Sequence, residues 1–140
     1  MGFLKYRFTF DPRKKGLKKI LGELESEIME IIWKRGQATV RDVFSVLCQR
    51  RDIAYTTVKT VMERLSTKKL LTQLKQSNAF LYIPSLSKES FTRSTIKEVL
   101  DGLLEDFYEP VTTQFVDSMD EVKEEKIGKA AVLIEEKRRR

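Results

Sequence analysis

The chain has 140 residues, 41% of them hydrophobic, and a formal net charge of +6. That length fits one compact domain, or one domain with an attached assembly arm. With one cysteine (Cys48) and no histidine, the composition excludes intrachain disulfides, clustered thiolate or imidazole metal sites, and Ser-His or Cys-His catalysis.

No Gly-rich phosphate loop is present, and the carboxylates sit in helical, solvated surroundings, so the expectation is a non-enzymatic protein without metal or cofactor. No apolar run approaches the ~18 residues of a membrane span. The start, MGFLKYRF, lacks the apolar region and cleavage site of a secretory signal, which predicts a cytoplasmic protein. The charge divides unevenly. Residues 1–19 hold seven Lys/Arg and one Asp, and residues 34–75 hold ten basic and three acidic residues; residues 85–136 hold six basic and thirteen acidic. A basic first half and an acidic second half place a polyanion on the first and protein on the second.

Residues 1–20 form a basic amino-terminal arm. Lys5 to Phe10 alternate aromatic and polar residues as on a half-buried strand; Asp11-Pro12 breaks the pattern, and Arg13, Lys14, Lys15, Lys18 and Lys19 follow. The arm has three readings: it packs on the domain or is disordered, it contacts DNA phosphates or a minor groove, or it lies on an anionic membrane.

The spacing predicts a first helix over Glu23–Arg35, with Leu24, Ile28, Ile31 and Ile32 on one side and Gly36 as its stop. Met29 and Trp33 widen its apolar surface. Thr39 and Asp42 resemble a capping box opening a second helix that runs to about Arg50, with Cys48 expected as a small core residue on the stripe Val40, Val43, Phe44, Leu47. Asp52-Ile53-Ala54 is a short turn into a third helix. Ala54 offers no capping side chain there, so that helix start relies on Asp52, on Thr56 or on a bound phosphate.

The third helix, Tyr55–Leu70, places Val58, Val61, Met62 and Leu65 on one side. Thr56, Thr60, Glu63 and Thr67 fall opposite, flanked by Thr57, Lys59 and Arg64. Hydroxyls and reaching cations on a core-anchored helix suit phosphates and base edges, although a solvated face also reads this way. Arg64 has a second reading, an ion pair with Glu30, Asp42 or Glu63. Two helices joined by a tight turn form a helix-turn-helix pattern.

Leu70–Leu74 and Ala79–Ile83 then read as strands of a hairpin that ends at Pro84, with Lys75-Gln76-Ser77-Asn78 between them. Lys75 and Asn78 at its tip stand where they could reach DNA backbone or minor groove. The predicted fold is mainly α: a winged helix-turn-helix of three helices plus a β-hairpin wing over residues 21–85, followed by a helical dimerisation region over residues 86–140.

In that second region Ser87 can cap a helix carrying Ile96, Val99, Leu100, Leu103, Leu104, Phe107 and Tyr108. Pro110 starts or kinks a segment with Val111, Phe115, Val116 and Met119, and a third segment, Glu121 to about Lys137, carries Ile127, Ala130, Ala131 and Ile134. These stripes lie beyond a core already complete at Pro84. Their partner is therefore either the same helices of a second copy or one another in a self-contained subdomain.

The winged-helix half and the helical tail together resemble the penicillinase-repressor (BlaI/MecI) family. The residues that carry the resemblance are Leu21-Gly22-Glu23-Leu24-Glu25 with Ile28-Met29 and Ile31-Ile32-Trp33; Thr39-Val40-Arg41-Asp42-Val43; Ala54-Tyr55-Thr56-Thr57-Val58-Lys59-Thr60 leading to Arg64-Leu65; and Phe80-Leu81-Tyr82. The likeness runs from about residue 21 to 136 and implies a homodimeric repressor of an inverted-repeat operator in double-stranded DNA. It implicates Thr56, Thr57, Lys59, Thr60 and Arg64 on the helix, Arg41 on the preceding helix, and Lys75 in the wing. In antibiotic-responsive members a membrane sensor-protease pathway leads to cleavage before a Phe preceded by Asn. Here the corresponding pair is Gln114-Phe115, which departs from that pattern. The carboxy-terminal cysteine pairs of copper-responsive relatives are absent. The rival expectation is a winged-helix protein-interaction module without DNA binding.

Overall fold

The computed structural model describes residues 9–140, so the strand-like start of the arm at residues 5–8 lies outside the described residues. Contacts divide the chain into two units, Met1–Glu98 and Val99–Arg140. In chain order the elements are a 3-10 turn (Gly16–Lys19), α1 (Glu23–Arg35), α2 (Val40–Leu47), α3 (Tyr55–Thr67), β1 (Leu71–Gln76), β2 (Ala79–Pro84), α4 (Lys88–Met119) and α5 (Glu124–Arg138). The first unit is a winged helix: three helices around one core, with β1 and β2 as the wing.

The ends of α1 fall where the sequence places them. Gly36 takes φ 87, the left-handed region that favours glycine, and its N–H donates to the Ile32 carbonyl at 2.8 Å. Ile28, Met29, Ile31 and Ile32 are buried. Ser26, a buried hydroxyl on the same helix, donates to the Glu23 carbonyl at 2.8 Å, so it enters the core satisfied. The capping box of α2 forms in both directions: Asp42 N–H donates to Thr39 Oγ1 at 3.2 Å, and Thr39 N–H donates to Asp42 Oδ2 at 2.9 Å.

Two expectations for α2 are corrected. The helix ends at Leu47 rather than Arg50, because the N–H groups of Arg50 and Arg51 both turn back to the Leu47 carbonyl at 3.0 Å. Cys48 is therefore a C-cap residue, exposed, its Sγ 3.5 Å from the Ser45 carbonyl; it is not part of the core. It sits at the edge of the Val40–Val43–Leu47 stripe, and a helix that stops there does not turn it inward.

The inward side of α3 holds Val58, Val61, Met62 and Leu65, all buried. Lys69 takes φ 70 after the helix, and Leu70 N–H donates to the Leu65 carbonyl at 3.0 Å, turning the chain sharply into the wing. The strands pair antiparallel with Lys75 opposite Phe80 and Gln76 opposite Ala79. The turn is thus only Ser77-Asn78, with Ser77 at φ 48, and Lys75 and Gln76 belong to the strand. One bridge escapes the sequence reading: Ala38, between α1 and α2, exchanges hydrogen bonds with Tyr82 at 2.8 and 3.0 Å. A single residue has no period to reveal it.

The start of α4 belongs to the first unit. Ser87 caps it through the N–H of Ser90 at 3.1 Å, and Phe91 and Thr95 are buried. Trp33 stands edge-on to Phe91 with ring centroids 5.8 Å apart and donates its indole N–H to the Leu86 carbonyl at 2.9 Å. In the second unit α4 is broken at Phe107 (φ −132, ψ 42), three residues before Pro110. Proline lacks an N–H and its ring presses on the carbonyl four residues back, which accounts for a kink at this place. No side chain from Val99 onward is buried. Leu100, Leu103, Leu104, Phe107, Phe115, Val116 and Leu133 are all exposed, and Val99 and Met119 are half-buried.

Candidate nucleic-acid interface

The outward face of α3 is fixed by what its inward face buries. With Val58, Val61, Met62 and Leu65 in the core, Thr56, Thr57, Lys59, Thr60, Glu63 and Arg64 are left exposed. Thr60 donates its hydroxyl to the Thr56 carbonyl at 2.8 Å, which leaves its oxygen lone pairs free to accept. The amino end of α3 has no side-chain cap: Ala54 is the N-cap, and the first in-helix amide bonds run from Thr57 and Val58 to its carbonyl. Of the three candidates for that helix start, neither Asp52 nor Thr56 supplies a cap. The outward amides of the first turn fit an anion.

The wing, α2 and α3 enclose an open groove of about 520 Å³ whose walls include Arg41, Tyr55, Lys59, Asn78 and Phe80. Three predicted residues thus meet: Arg41 from the first turn of α2, Lys59 from the second turn of α3, and Asn78 from the wing turn. Tyr55 and Phe80 join them, although neither is among the site residues the sequence predicts. Tyr55 stacks edge-on against Phe44 at 5.5 Å, which ties the start of α3 to α2, and remains 45% exposed. The available signal was the alternation of β2, which puts Phe80 and Tyr82 on one face. Lys75, exposed on β1 opposite Phe80, does not line this groove.

Arg64 stands apart. Its expected partners were Glu30, Asp42 or Glu63, but its Nη1 lies 3.9 Å from Glu25 Oε1 on α1, and Lys68 Nζ lies 3.6 Å from the same oxygen. Asp42 pairs instead with Arg35 at 3.8 Å, and Glu30 with Lys88 at 2.7 Å. Packing of α1 against α3 decides this, and no local pattern encodes it.

Two groups beside the groove have shifted acidities. The Thr39 backbone N–H, against the opposing effect of burial, holds the Asp42 carboxyl below its ordinary value; the Thr39 hydroxyl and Arg35 act in the same direction. Burial, with Glu63 and Tyr55 nearby, pushes the Tyr82 phenol up. Both shifts move the group away from neutrality, so neither changes charge there. Among the described residues no cluster of His, Cys, Asp or Glu could hold a metal ion.

The family model described as penicillinase repressor matches residues 21–136. The transcriptional regulator BlaI of Mycobacterium tuberculosis is 38% identical over 81 residues, 57% of this chain and 59% of that one, so the match spans about three-fifths of that relative. The penicillinase repressor of Bacillus licheniformis is 23% identical over 126 residues, 89% of this chain and 98% of that protein. Among solved structures, the DNA-binding domain of the repressor BlaI is similar at 25% identity and a TM-score of 0.46, covering 54% of this chain and 90% of that domain. The matched span takes in α1 to α3, the wing and most of the helical tail, and on that ground the chain belongs to the penicillinase repressor family.

Proposed function

We propose that the chain is a sequence-specific, DNA-binding transcriptional repressor that acts as a homodimer on an inverted-repeat operator. The observation that carries this reading is the meeting of Arg41, Lys59 and Asn78 around one groove beside the exposed threonines of α3. In this reading α3 enters the major groove. Thr56, Thr57 and Thr60 discriminate bases, Arg41, Lys59 and Lys75 neutralise phosphates, and Asn78 follows the backbone beside the wing. The similar proteins of Mycobacterium tuberculosis and Bacillus licheniformis are a transcriptional regulator and a penicillinase repressor, which supports the assignment.

The exposed apolar residues of the second unit, Leu100, Leu103, Leu104, Phe107, Phe115 and Val116 among them, supply what a second copy would cover. Two copies would set two α3 helices in successive major grooves, with half-site centres about 34–36 Å or a multiple apart. Repression follows from occupying a promoter, and release from weakening the dimer. Cleavage at Gln114-Phe115, both exposed, through a membrane sensor-protease pathway is one route to that release. A cytoplasmic location accords with this role; no helix among the described residues is long and apolar enough to cross a membrane.

The test is a fluorescence-anisotropy titration of a mixed-sequence duplex at 50 and 200 mM salt. A DNA-binding protein loses affinity steeply between the two. Lys59→Ala should weaken every sequence alike and reduce the salt slope by about one. Absence of binding at the lower salt would instead favour a winged-helix protein-interaction module.

A further inference from the structure

The basic segment ahead of α1 is held in place rather than trailing. Asp11 N–H donates to the Lys19 carbonyl at 2.8 Å, closing a loop over residues 11–19. Within it Lys14 N–H reaches the Asp11 carbonyl at 3.3 Å, Lys18 N–H reaches the Lys15 carbonyl at 3.2 Å, and Lys19 Nζ donates to the Lys14 carbonyl. Leu17 packs on the core, and Ile20 and Leu21 are buried in it, so the base of the loop is anchored. The loop carries Arg13, Lys14, Lys15, Lys18 and Lys19 against Asp11 alone.

Two of these cations make ion pairs: Arg13 with Asp11 at 3.2 Å and Lys18 with Glu23 at 3.3 Å. Lys14 and Lys15 are exposed and make no ion pair among the described residues. The loop joins the domain at the first turn of α1. On that same turn Glu25 meets Lys68 and Arg64, at the carboxy-terminal end of α3. The loop, through Lys18 and Glu23, and the pair Arg64 and Lys68, through Glu25, thus both meet α1 at its first turn. The loop also precedes residue 21, where the match to the family begins.

We infer that this loop is a second DNA-contacting surface, in which Lys14 and Lys15 neutralise backbone phosphates flanking the segment read by α3. The inference rests on the DNA-binding reading above. Anchoring matters physically: a loop backbone already held in place loses little conformational freedom on binding, whereas that of a loose tail must be ordered. Each phosphate contact adds about 0.9 to the slope of log affinity against log salt.

The experiment compares the full chain with Lys14→Gln/Lys15→Gln and with Lys126→Gln/Lys129→Gln, a control that removes two cations from the second unit. The probe is a mixed-sequence duplex of about three helical turns, titrated by anisotropy from 50 to 200 mM salt. The loop variant should have a slope shallower by about two, so its affinity should fall about 12-fold less than wild type across that range; the control should match wild type. Circular dichroism should show an unchanged fold. If wild type and Lys59→Ala behave as a DNA binder but the loop variant keeps the wild-type slope, the loop is a solvated surface and the inference fails alone. If wild type binds no duplex, the DNA reading fails and takes the inference with it. Pelleting with phosphatidylglycerol vesicles forms a second arm: capture lost in the loop variant, alongside an unaltered DNA slope, would assign the loop to a membrane surface and overturn the inference.

Discussion

Arg64 of α3 reaches back to Glu25 of α1, Nη1 to Oε1 at 3.9 Å, and Lys68 approaches the same oxygen at 3.6 Å. One carboxylate thus balances two cations. Arg64 is half exposed and the pairs are long, so their contribution to stability is modest, about 0–1 kcal/mol. Glu25→Gln should lower stability by no more than that in urea denaturation. It should also steepen the salt slope for duplex by up to about two as Arg64 and Lys68 turn to phosphate. An unchanged slope would place both cations outside the DNA footprint.

The capping box at the start of α2 sets an acid limit on stability. Asp42 is held below its ordinary acidity range in the fold, chiefly by the Thr39 N–H. An unfolded Asp titrates near about 3.9. The stabilisation is therefore complete above that value and is lost as pH falls through the lower, folded one. Asp42→Asn should flatten part of the stability decline below about pH 4 while leaving the neutral-to-alkaline profile unaltered. Thr39→Ala should cost about 1 kcal/mol at neutral pH. A wild-type acid limb retained in Asp42→Asn would show that other carboxylates set it.

Phe91 joins the start of α4 to the winged-helix core. It is fully buried and edge-on to Trp33 at 5.8 Å. Phe91→Ala should destabilise the first unit by about 3–5 kcal/mol. Trp33 is the only tryptophan, so its fluorescence during urea unfolding reports this unit directly. A loss below about 1 kcal/mol would mean that the beginning of α4 contributes little to the core.

Leu100 and Leu103 lie on the unburied surface of the second unit, each more than two-fifths exposed. Leu100→Glu with Leu103→Glu should convert the proposed dimer to monomer at micromolar concentration in sedimentation velocity, and weaken operator-length duplex far more than half-site duplex. A double variant that sediments as the wild type does would remove these residues from the interface.

Much of this molecule is written locally. The limits of α1, the Thr39–Asp42 box, the buried and exposed sides of α3, the Ser87 cap and the break near Pro110 can all be read from the sequence. Each depends on helical period, a capping side chain, or the backbone chemistry of glycine and proline, within about one or two turns of chain. Other features needed the folded core. Arg64 finds Glu25, Cys48 is left outside, Ala38 bridges Tyr82, and Arg41, Lys59 and Asn78 gather around one groove only because distant segments pack together. The basic segment ahead of α1 shows the same division: its charge is plain in the sequence, but its closure by Asp11 and Lys19 and its anchoring through Ile20 and Leu21 come from tertiary contacts. Local periodicity fixes which face of an element is apolar; it carries no information about which distant residue that element will meet, because that choice belongs to the packing of the whole core.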